Sequence, residues 1–387
     1  MSLIEVHRVP DAETSGRHIV QLKETVSKSG HLQWFDRIRS GNSRITHADW
    51  EFNVFHGYAG EFDEDTLNAL RASPDVKSIE EDSAVEPEAT VSQTNAPWGL
   101  SRISQDVRVQ GSVSSLTFTY RYDSSAGTGV DIYILDKLDK TANHITDPDE
   151  GINTTHVDFG GRARLGAVFG SPDNVDTDGH GTHVAGIAAG TRYGVAKGAN
   201  LIAVKVLPGS IADVISGLTY VATSVTASGR PSVVNMSLSS GVSPSLDTAT
   251  DTITARGIHV AAAAGNQNTD ASTRSPARVP SVNTVGAIDI TDTRRPTSNY
   301  GPSVDLFAPG GEIISTGIAN STIAIPMSGT SMASPHVAGL IAYLIIRYGN
   351  RTAASMSDLV KQYAVKGAID PSTLPAGTVN LIARNDI

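Results

Sequence analysis

Short, almost continuously apolar runs alternate with helical stretches over the last three quarters of the chain. The runs are residues 130–136, 203–207, 233–238, 259–264 and 282–286. The helical stretches between them are residues 183–189, 212–227 and 245–255. Strands that are apolar on both sides are typical of a parallel sheet whose two faces are both covered. The pattern therefore predicts an α/β fold, with a mainly parallel sheet and helices on both faces.

The first part of the chain has a different pattern. His18 to Lys23 alternates like a strand, and Val76 to Val85 is a second strand candidate. Apolar residues at helical spacing predict a helix within residues 32–38. The acids at residues 63–65 suit the start of another helix, since acids are favourable at the positive end of the helix dipole. Residues 17–88 are therefore expected to form a small α+β domain.

A polar segment without periodicity separates the two patterns. Residues 86–93 contain a proline and no apolar repeat, which predicts an exposed linker open to proteolysis. We accordingly expect two domains, residues 1–91 with the linker included and residues 92–387.

Charge and composition exclude several function classes. The 387 residues carry a formal net charge of −10, and residues 1–91 account for −8 of it. A basic surface for nucleic acid or an anionic membrane is therefore not expected. The absence of cysteine removes disulfides, thiol catalysis and thiolate-bound zinc. We recognise no membrane-spanning run, and no secretory signal in Met1 to Val9.

Three short segments carry residue types that suit nucleophilic catalysis. The first strand of the sheet ends in Asp136, the segment Asp178–Gly186 contains His180, and the segment Ser328–Gly339 contains Ser331. A serine hydroxyl needs an imidazole to take its proton, and the imidazole needs a carboxylate to fix its tautomer. The N–H of Ser331 at a helix start and the amide of Asn266 after an apolar strand could both stabilise an oxyanion.

These motifs resemble those of the subtilisin-like serine proteases, in particular the proteinase K branch. The Gly-His-Gly-Thr-His-Val-Ala-Gly and Gly-Thr-Ser-Met-Ala-Ser-Pro-His segments resemble its histidine and serine motifs. Residues 95–103 resemble its mature amino terminus, and residues 377–381 its carboxyl-terminal end. Residues 17–88 are similar to its inhibitor-type propeptide, a small ferredoxin-like domain. The resemblance implies a serine endopeptidase zymogen that removes its own propeptide near residues 88–92.

The resemblance also implies a role for individual residues. His180 would be the general base, Ser331 the nucleophile, and Asn266 together with the Ser331 N–H the oxyanion hole. A structural Ca²⁺ would be bound by Asp305 with the carbonyls of Pro280 and Val282, and no catalytic cofactor is expected. The walls of the substrate pocket would be Ser237, Leu238, Ser239, Ala263, Ala264 and Gly265.

The position of the triad acid is open. Asp136 is followed by Lys137 to Asp149, which departs from the family pattern and has the character of an insertion of 13 residues. Asp136 is favoured because it continues a strand, whereas Asp149 has the family spacing, 31 residues before His180. If the insertion displaces the acid, the chain is instead a catalytically impaired pseudoprotease.

Partners and compartment follow from the resemblance alone. The expected partners are protein or peptide substrates and the chain's own propeptide as an intramolecular inhibitor, with the protein a monomer. An extracellular location is expected because the family is mostly secreted. His156, His183 and His336 are expected to be structural.

Overall fold

The computed structural model describes residues 3–7, 14–47, 55–83, 90–137, 152–170 and 179–387. The chain divides into two compact units, Met1–Pro87 and Glu88–Ile387. Part of the segment predicted as a linker, and the alternative acid Asp149, lie outside the described residues.

The first unit has the α+β arrangement that the sequence predicts. Its strands lie in the order β1-β5-β2-β4-β3 and are antiparallel except for the pair β1 and β5. Phe35 and Leu70, one from each helix, pack with Val20 and Ile79 of the sheet in a shared core. The elements are β1 (Val6–His7), β2 (Thr14–Leu22), α1 (Lys28–Ile38), β3 (Arg44–His47), β4 (Gly57–Glu61), α2 (Glu64–Ala72) and β5 (Val76–Ser83). The succession from β2 to β5 is the ferredoxin-like β-α-β-β-α-β pattern.

The acidic start of helix α2 behaves as expected. Asp63 is the N-cap, and its Oδ1 accepts a hydrogen bond from the Thr66 backbone N–H at 2.9 Å. This bond and the Ser40 hydroxyl lower the pKa of Asp63 to about 2. The carboxylate therefore stays ionised at neutral pH and satisfies a helix N–H that has no intrahelical acceptor.

The second unit is built on a sheet of nine strands among the residues described. The strand order is β17-β18-β14-β13-β12-β11-β8-β10-β9, and the pairs are parallel except for β17 with β18. The elements are β6 (Thr90–Ala96), α3 (Trp98–Arg102), β7 (Phe118–Asp123), β8 (Asp131–Lys137), β9 (Ala163–Val168), α4 (His180–Ala189), β10 (Asn200–Leu207), α5 (Ile211–Ser228), β11 (Ser232–Met236), α6 (Pro244–Ala255), β12 (His259–Ala263), β13 (Asn283–Ile288), β14 (Leu306–Pro309), β15 (Ile313–Thr316), β16 (Ala324–Met327), α7 (Thr330–Tyr348), α8 (Ala353–Tyr363), β17 (Val365–Lys366) and β18 (Leu381–Ile382). No helix in the described ranges is long and apolar enough to cross a bilayer.

Successive residues of strand β8 enter two different cores. Ile132 and Ile134 pack in the core that contains α4 and α7, whereas Tyr133 and Leu135 pack in the core that contains α5 and α6. Side chains alternate across a strand, so a strand covered on both faces must be apolar at every position. The prediction of a parallel sheet with helices on both faces is confirmed.

The linker prediction was wrong for the residues that the structure describes. Thr90 to Gln93 are not an irregular segment but the first half of β6, which pairs antiparallel with β7. The ribbon is mostly exposed along Thr90–Asn95, so its sequence lacks the apolar alternation of a half-buried strand. Its cross-strand hydrogen bonds depend on β7, which lies more than twenty residues further along the chain.

Candidate active site

The residues singled out by the sequence lie at one edge of the sheet. Asp136 is the penultimate residue of β8, Ser237 directly follows β11, and Asn266 follows β12 by three residues. These three strands are neighbours in the sheet and run parallel. Binding sites in such sheets lie outside the carboxyl ends of the strands. The side chains therefore converge at the edge where the fold places chemistry.

Asp136 and His180 are in direct contact. The Asp136 Oδ1 lies 2.7 Å from the His180 Nδ1. The carboxylate is 2% exposed, and the imidazole 18% exposed. Because an ionised carboxylate only accepts hydrogen bonds, Nδ1 carries the proton, and Nε2 of the neutral ring is left as an acceptor.

The local backbone explains how His180 reaches this position. His180 is the first residue of α4, and Gly179 before it has a φ of 77°. That left-handed conformation strongly favours glycine, which has no Cβ to clash. The rest of α4 from Gly181 to Ala189 is buried, so packing fixes the helix and leaves its first side chain at the sheet edge.

Helices α4 and α7, which begin with the histidine and serine motifs, approach each other closely. A Cβ on Gly339 would lie 2.6 Å from the carbonyl oxygen of Ala188, so only glycine permits this close approach. Gly339 lies eight residues after Ser331, and Ala188 lies eight residues after His180. Both helices begin at the carboxyl edge of the sheet. His180 and Ser331 therefore lie the same number of residues from the point where the two helices meet.

Ser331 occupies the first turn of α7. The N-cap is Gly329, which has no side chain to satisfy the first N–H groups of the helix. The Thr330 N–H instead donates to the Asn266 Oδ1 at 2.9 Å, and the Met332 N–H donates to the Gly329 carbonyl at 3.1 Å. The Ser331 N–H lies between these two, at the positive end of the helix dipole.

A proline in this helix leaves the Ser331 carbonyl without its usual partner. Pro335 lies four residues after Ser331 and has no N–H to donate. The Ser237 hydroxyl supplies the missing donor, and its Oγ lies 2.8 Å from the Ser331 carbonyl oxygen. In the opposite direction the Ser331 Oγ lies 3.5 Å from the Ser237 carbonyl oxygen. Strand β11 is thereby joined to the first turn of α7.

Two further buried polar residues support this contact. The Asn235 Nδ2 donates to the Ser237 Oγ at 2.9 Å, and the Ser334 Oγ donates to the Asn235 Oδ1 at 2.7 Å. Asn235 and Ser334 are both fully buried. A buried amide is costly unless it is hydrogen-bonded, so the chain of bonds fixes both strand and helix. Sequence reasoning missed this role, although an asparagine within the apolar run Val-Val-Asn-Met was a signal for it.

Asn266 is held by one end of its amide. Its Oδ1 accepts from both the backbone N–H and the hydroxyl of Thr330, at 2.9 and 3.1 Å. The residue itself is exposed, and Gly265 before it has a φ of 103°. The hydrogen bonds of Asn266 within the described part of the chain use the oxygen, so the amide nitrogen is available as a donor.

The two predicted pocket walls follow neighbouring strands. Residues 237–239 follow β11 and change from buried at Ser237 to exposed at Ser239. Residues 263–265, at the end of β12, are buried throughout. Because β11 and β12 pair in parallel, both segments leave the sheet at the same edge. Their backbones flank the region next to Ser331.

The carboxylate predicted to bind calcium is already paired. The Asp305 Oδ1 lies 2.6 Å from the Lys361 Nζ, and its Oδ2 accepts from the Thr284 N–H at 2.9 Å. Pro280 and Val282 lie just before β13, whose neighbour β14 begins after Asp305. The described residues contain no group of three or more His, Cys, Asp or Glu side chains placed to hold a metal. As arranged, this donor set does not fit a calcium ion, because an ammonium group occupies Oδ1.

The remaining histidines of the motifs are buried structural residues. The His183 Nε2 lies 2.9 Å from the Ile313 carbonyl, and the His336 Nδ1 lies 2.8 Å from the Met332 carbonyl. Burial lowers the pKa of His183 to about 3 and that of His336 to about 4. The His156 Nε2 contacts the Ile323 carbonyl at 3.0 Å. The His183 and His336 rings are therefore neutral at physiological pH, and all three rings contact backbone carbonyls.

Comparison with known proteins shows the family of this chain. The sequence model of the Subtilase family matches residues 148–379, and that of the Peptidase inhibitor I9 family matches residues 17–88. The chain therefore belongs to the subtilase family, and it is a serine endopeptidase that carries an inhibitor I9 propeptide. Within the family, its relatives are proteinase K-like fungal subtilisins. The family match begins after β8, so it includes Asp149 and leaves out Asp136.

Individual relatives cover most of the chain. It is 40% identical to the cuticle-degrading protease of Metarhizium anisopliae over 385 aligned residues. This alignment covers 97% of this chain and 92% of that protein. It is 43% identical over 340 residues to proteinase R of Parengyodontium album, which covers 86% of this chain and 81% of that protein. A solved cold-adapted subtilisin-like serine proteinase is 38% identical with a TM-score of 0.64, over 76% of this chain and 99% of that one.

Proposed function

We propose that this chain is the zymogen of an active serine endopeptidase whose catalytic triad is Asp136, His180 and Ser331. The observation that carries the proposal is the 2.7 Å contact between the Asp136 Oδ1 and the His180 Nδ1. This contact directs the Nε2 lone pair of the ring away from the carboxylate. The equal spacing of His180 and Ser331 from the contact between helices α4 and α7 supports Ser331 as the group that faces it.

The reaction follows from these roles. His180 Nε2 accepts the hydroxyl proton of Ser331 as the Ser331 Oγ bonds to the substrate carbonyl carbon. The imidazolium then gives that proton to the leaving amine as the peptide C–N bond breaks, which leaves an acyl-enzyme. A water molecule repeats the sequence, with His180 again as base, and releases the acid and free Ser331. Asp136 remains ionised and stabilises the imidazolium.

The negative charge of the tetrahedral intermediate needs donors at the sheet edge. The Ser331 N–H and the Asn266 Nδ2 are proposed to supply them, because the Asn266 Oδ1 is already committed to Thr330. The loss of one such donor costs about 10²–10³-fold in kcat, a magnitude measured in subtilisin itself rather than obtained from this geometry. The backbones of residues 237–239 and 263–265 would pair with an extended substrate, which favours peptides.

The propeptide is proposed to inhibit the enzyme until its junction is cut. We expect the cut near residues 88–92. Cleavage before Thr90 would leave strand β6 complete. The resulting enzyme of about residues 90–387 would act as a monomer. An extracellular site of action is part of the same proposal and rests on the resemblance to secreted subtilases.

The catalytically impaired alternative is less well supported. This alternative requires that the insertion move the acid away from His180, whereas Asp136 contacts the His180 ring. Asp149 lies within the family match but outside the described residues, so its role is a matter for experiment.

The test uses the purified full chain with casein and a fluorophosphonate probe. We expect the wild-type protein to lose its amino-terminal unit, to degrade casein and to be labelled at Ser331. Ser331→Ala abolishes all three, and Asp136→Asn lowers kcat by about 10⁴-fold, the cost of a wrong tautomer. Asp149→Asn serves as the matched control and leaves kcat unchanged.

Other outcomes assign the roles differently. A large loss in Asp149→Asn with an active Asp136→Asn would make Asp149 the acid. A folded wild-type chain without labelling or casein degradation would support the impaired pseudoprotease.

A further inference from the structure

Two hydrogen bonds join Asp305, just before strand β14, to Thr284 near the start of strand β13. The Asp305 backbone N–H donates to the Thr284 carbonyl at 2.9 Å, and the Thr284 N–H donates back to the Asp305 Oδ2 at 2.9 Å. The Asp305 side chain is 20% exposed. A half-buried carboxylate with a fixed orientation needs a cation close to its second oxygen.

That cation comes from the chain itself. Lys361 lies in the last turn of helix α8, and its Nζ is 2.6 Å from the Asp305 Oδ1. Leu359 and Val360 of the same turn are buried, so the helix that carries the lysine is held against the body of the unit. A cation in the last turn is also favoured by the negative end of the helix dipole. Packing therefore fixes the helix turn that carries Lys361, and the ion pair with Asp305 orients its ammonium group.

We propose that the Lys361 ammonium group takes the place of the calcium ion that the family resemblance assigns to Asp305. The two cations exclude each other. Calcium binds carboxylate oxygens at about 2.3–2.6 Å and takes six to eight oxygen ligands. An ammonium nitrogen at 2.6 Å from the same Oδ1 blocks that coordination sphere and repels a divalent charge.

The consequence is that this part of the enzyme does not depend on calcium. In Lys361→Met the carboxylate keeps its Thr284 contact but loses its counterion, and the carbonyls of Pro280 and Val282 remain. The variant is then expected to acquire a calcium site that depends on Asp305. Lys361 is one-third exposed and its substitution removes no buried apolar group, so the variant is expected to fold.

The experiment compares calcium binding and thermal unfolding in five full-length proteins, all of which carry Ser331→Ala to prevent self-digestion. One has no other change, and three others carry Lys361→Met, Asp305→Asn, or both of these substitutions. Lys366→Met is the matched control, because Lys366 is an exposed lysine of the neighbouring strand β17. Calcium is titrated calorimetrically, and unfolding midpoints are recorded in chelator and in about 10 mM CaCl₂.

The deciding quantity is the part of the calcium binding and of the midpoint shift that Asp305→Asn removes. Only calcium bound at Asp305 contributes to this part. We expect it to be absent in the otherwise unchanged chain and in Lys366→Met. In Lys361→Met we expect about one additional calcium bound and a midpoint about 5 °C higher with calcium, both lost on adding Asp305→Asn. An Asp305-dependent calcium site in the otherwise unchanged chain would overturn the proposal. A Lys361→Met variant that folds but binds no additional calcium would also overturn the proposal, because the lysine would then not be the group that excludes the ion.

Discussion

Asn266 uses the two ends of one amide for two different purposes. Its oxygen caps helix α7 through the Thr330 N–H, and its nitrogen is the proposed oxyanion donor. The side chain is exposed, so its orientation comes from these bonds and not from packing. The cap and the donor can therefore be separated by substitution.

Asn266→Asp keeps an acceptor for the Thr330 N–H and loses the donor, whereas Asn266→Ala loses both. We expect both variants to lose about 10²–10³-fold in kcat, the size known from subtilisin, with little change in KM. Only Asn266→Ala is expected to lose about 1 kcal/mol of unfolding free energy, the usual cost of a missing cap. Peptide hydrolysis and urea unfolding measure the two effects. A kcat near the wild-type value in either variant would contradict the donor role.

At the scale of elements, strand β8 carries the acid that contacts His180 as its penultimate residue. Strand continuity favours Asp136 for this reason, since the carboxyl end of a parallel strand is a fixed position in the sheet. The spacing argument for Asp149 relied on a count of residues along the chain. Loop length changes at little energetic cost, because doubling a loop costs only about 0.6 kcal/mol, so spacing is the weaker guide.

Deletion of Lys137 to Asp149 tests the independence of β8 from the segment after it. Asp136 would then be followed by Glu150, and Asp149 would be absent. We expect a folded protein whose Ser331 is still labelled by a fluorophosphonate, with stability changed by about 1 kcal/mol or less. Circular dichroism confirms the fold, and the point variant Asp149→Asn is the control. A folded deletion variant without labelling would show that catalysis needs the removed segment.

Strand β6 shows where local sequence reasoning failed at this scale. Its residues alternate weakly in burial, and its partner β7 follows helix α3 in the chain. A two-stranded ribbon on the surface has no apolar stripe to reveal it. The central strands were predictable for the opposite reason, because burial on both faces requires an apolar side chain at nearly every position.

At the scale of the whole molecule, buried neutral histidines make the second unit sensitive to acid. Burial lowers the pKa of His183 to about 3, of His336 to about 4, and also lowers that of His259. In the unfolded chain these rings titrate near pH 6.5. Below that pH the unfolded state binds protons that the folded state does not, so stability falls as pH falls.

Between pH 6.5 and 5 we expect the unfolding free energy to decrease as the pH falls, by up to about 1.4 kcal/mol per pH unit for each of His183 and His336. Urea unfolding of Ser331→Ala at a series of pH values measures the slope. His259→Gln keeps a donor for the Asn350 side chain, which lies 2.8 Å from the His259 Nε2, and should make the slope shallower, because burial lowers the pKa of His259 as well. A stability that is level or rises between pH 6.5 and 5 would contradict this explanation.

The sequence by itself determined the class of sheet and its two covered faces. These follow from hydrophobic periodicity, which is a local property of a few consecutive residues. Only the tertiary structure decided which partners the charged groups have. Asp136 meets a histidine 44 residues away, and Asp305 meets Lys361 rather than being left open for a metal ion. The physical reason is that such contacts depend on where packed helices and strands converge, and no local pattern records that convergence.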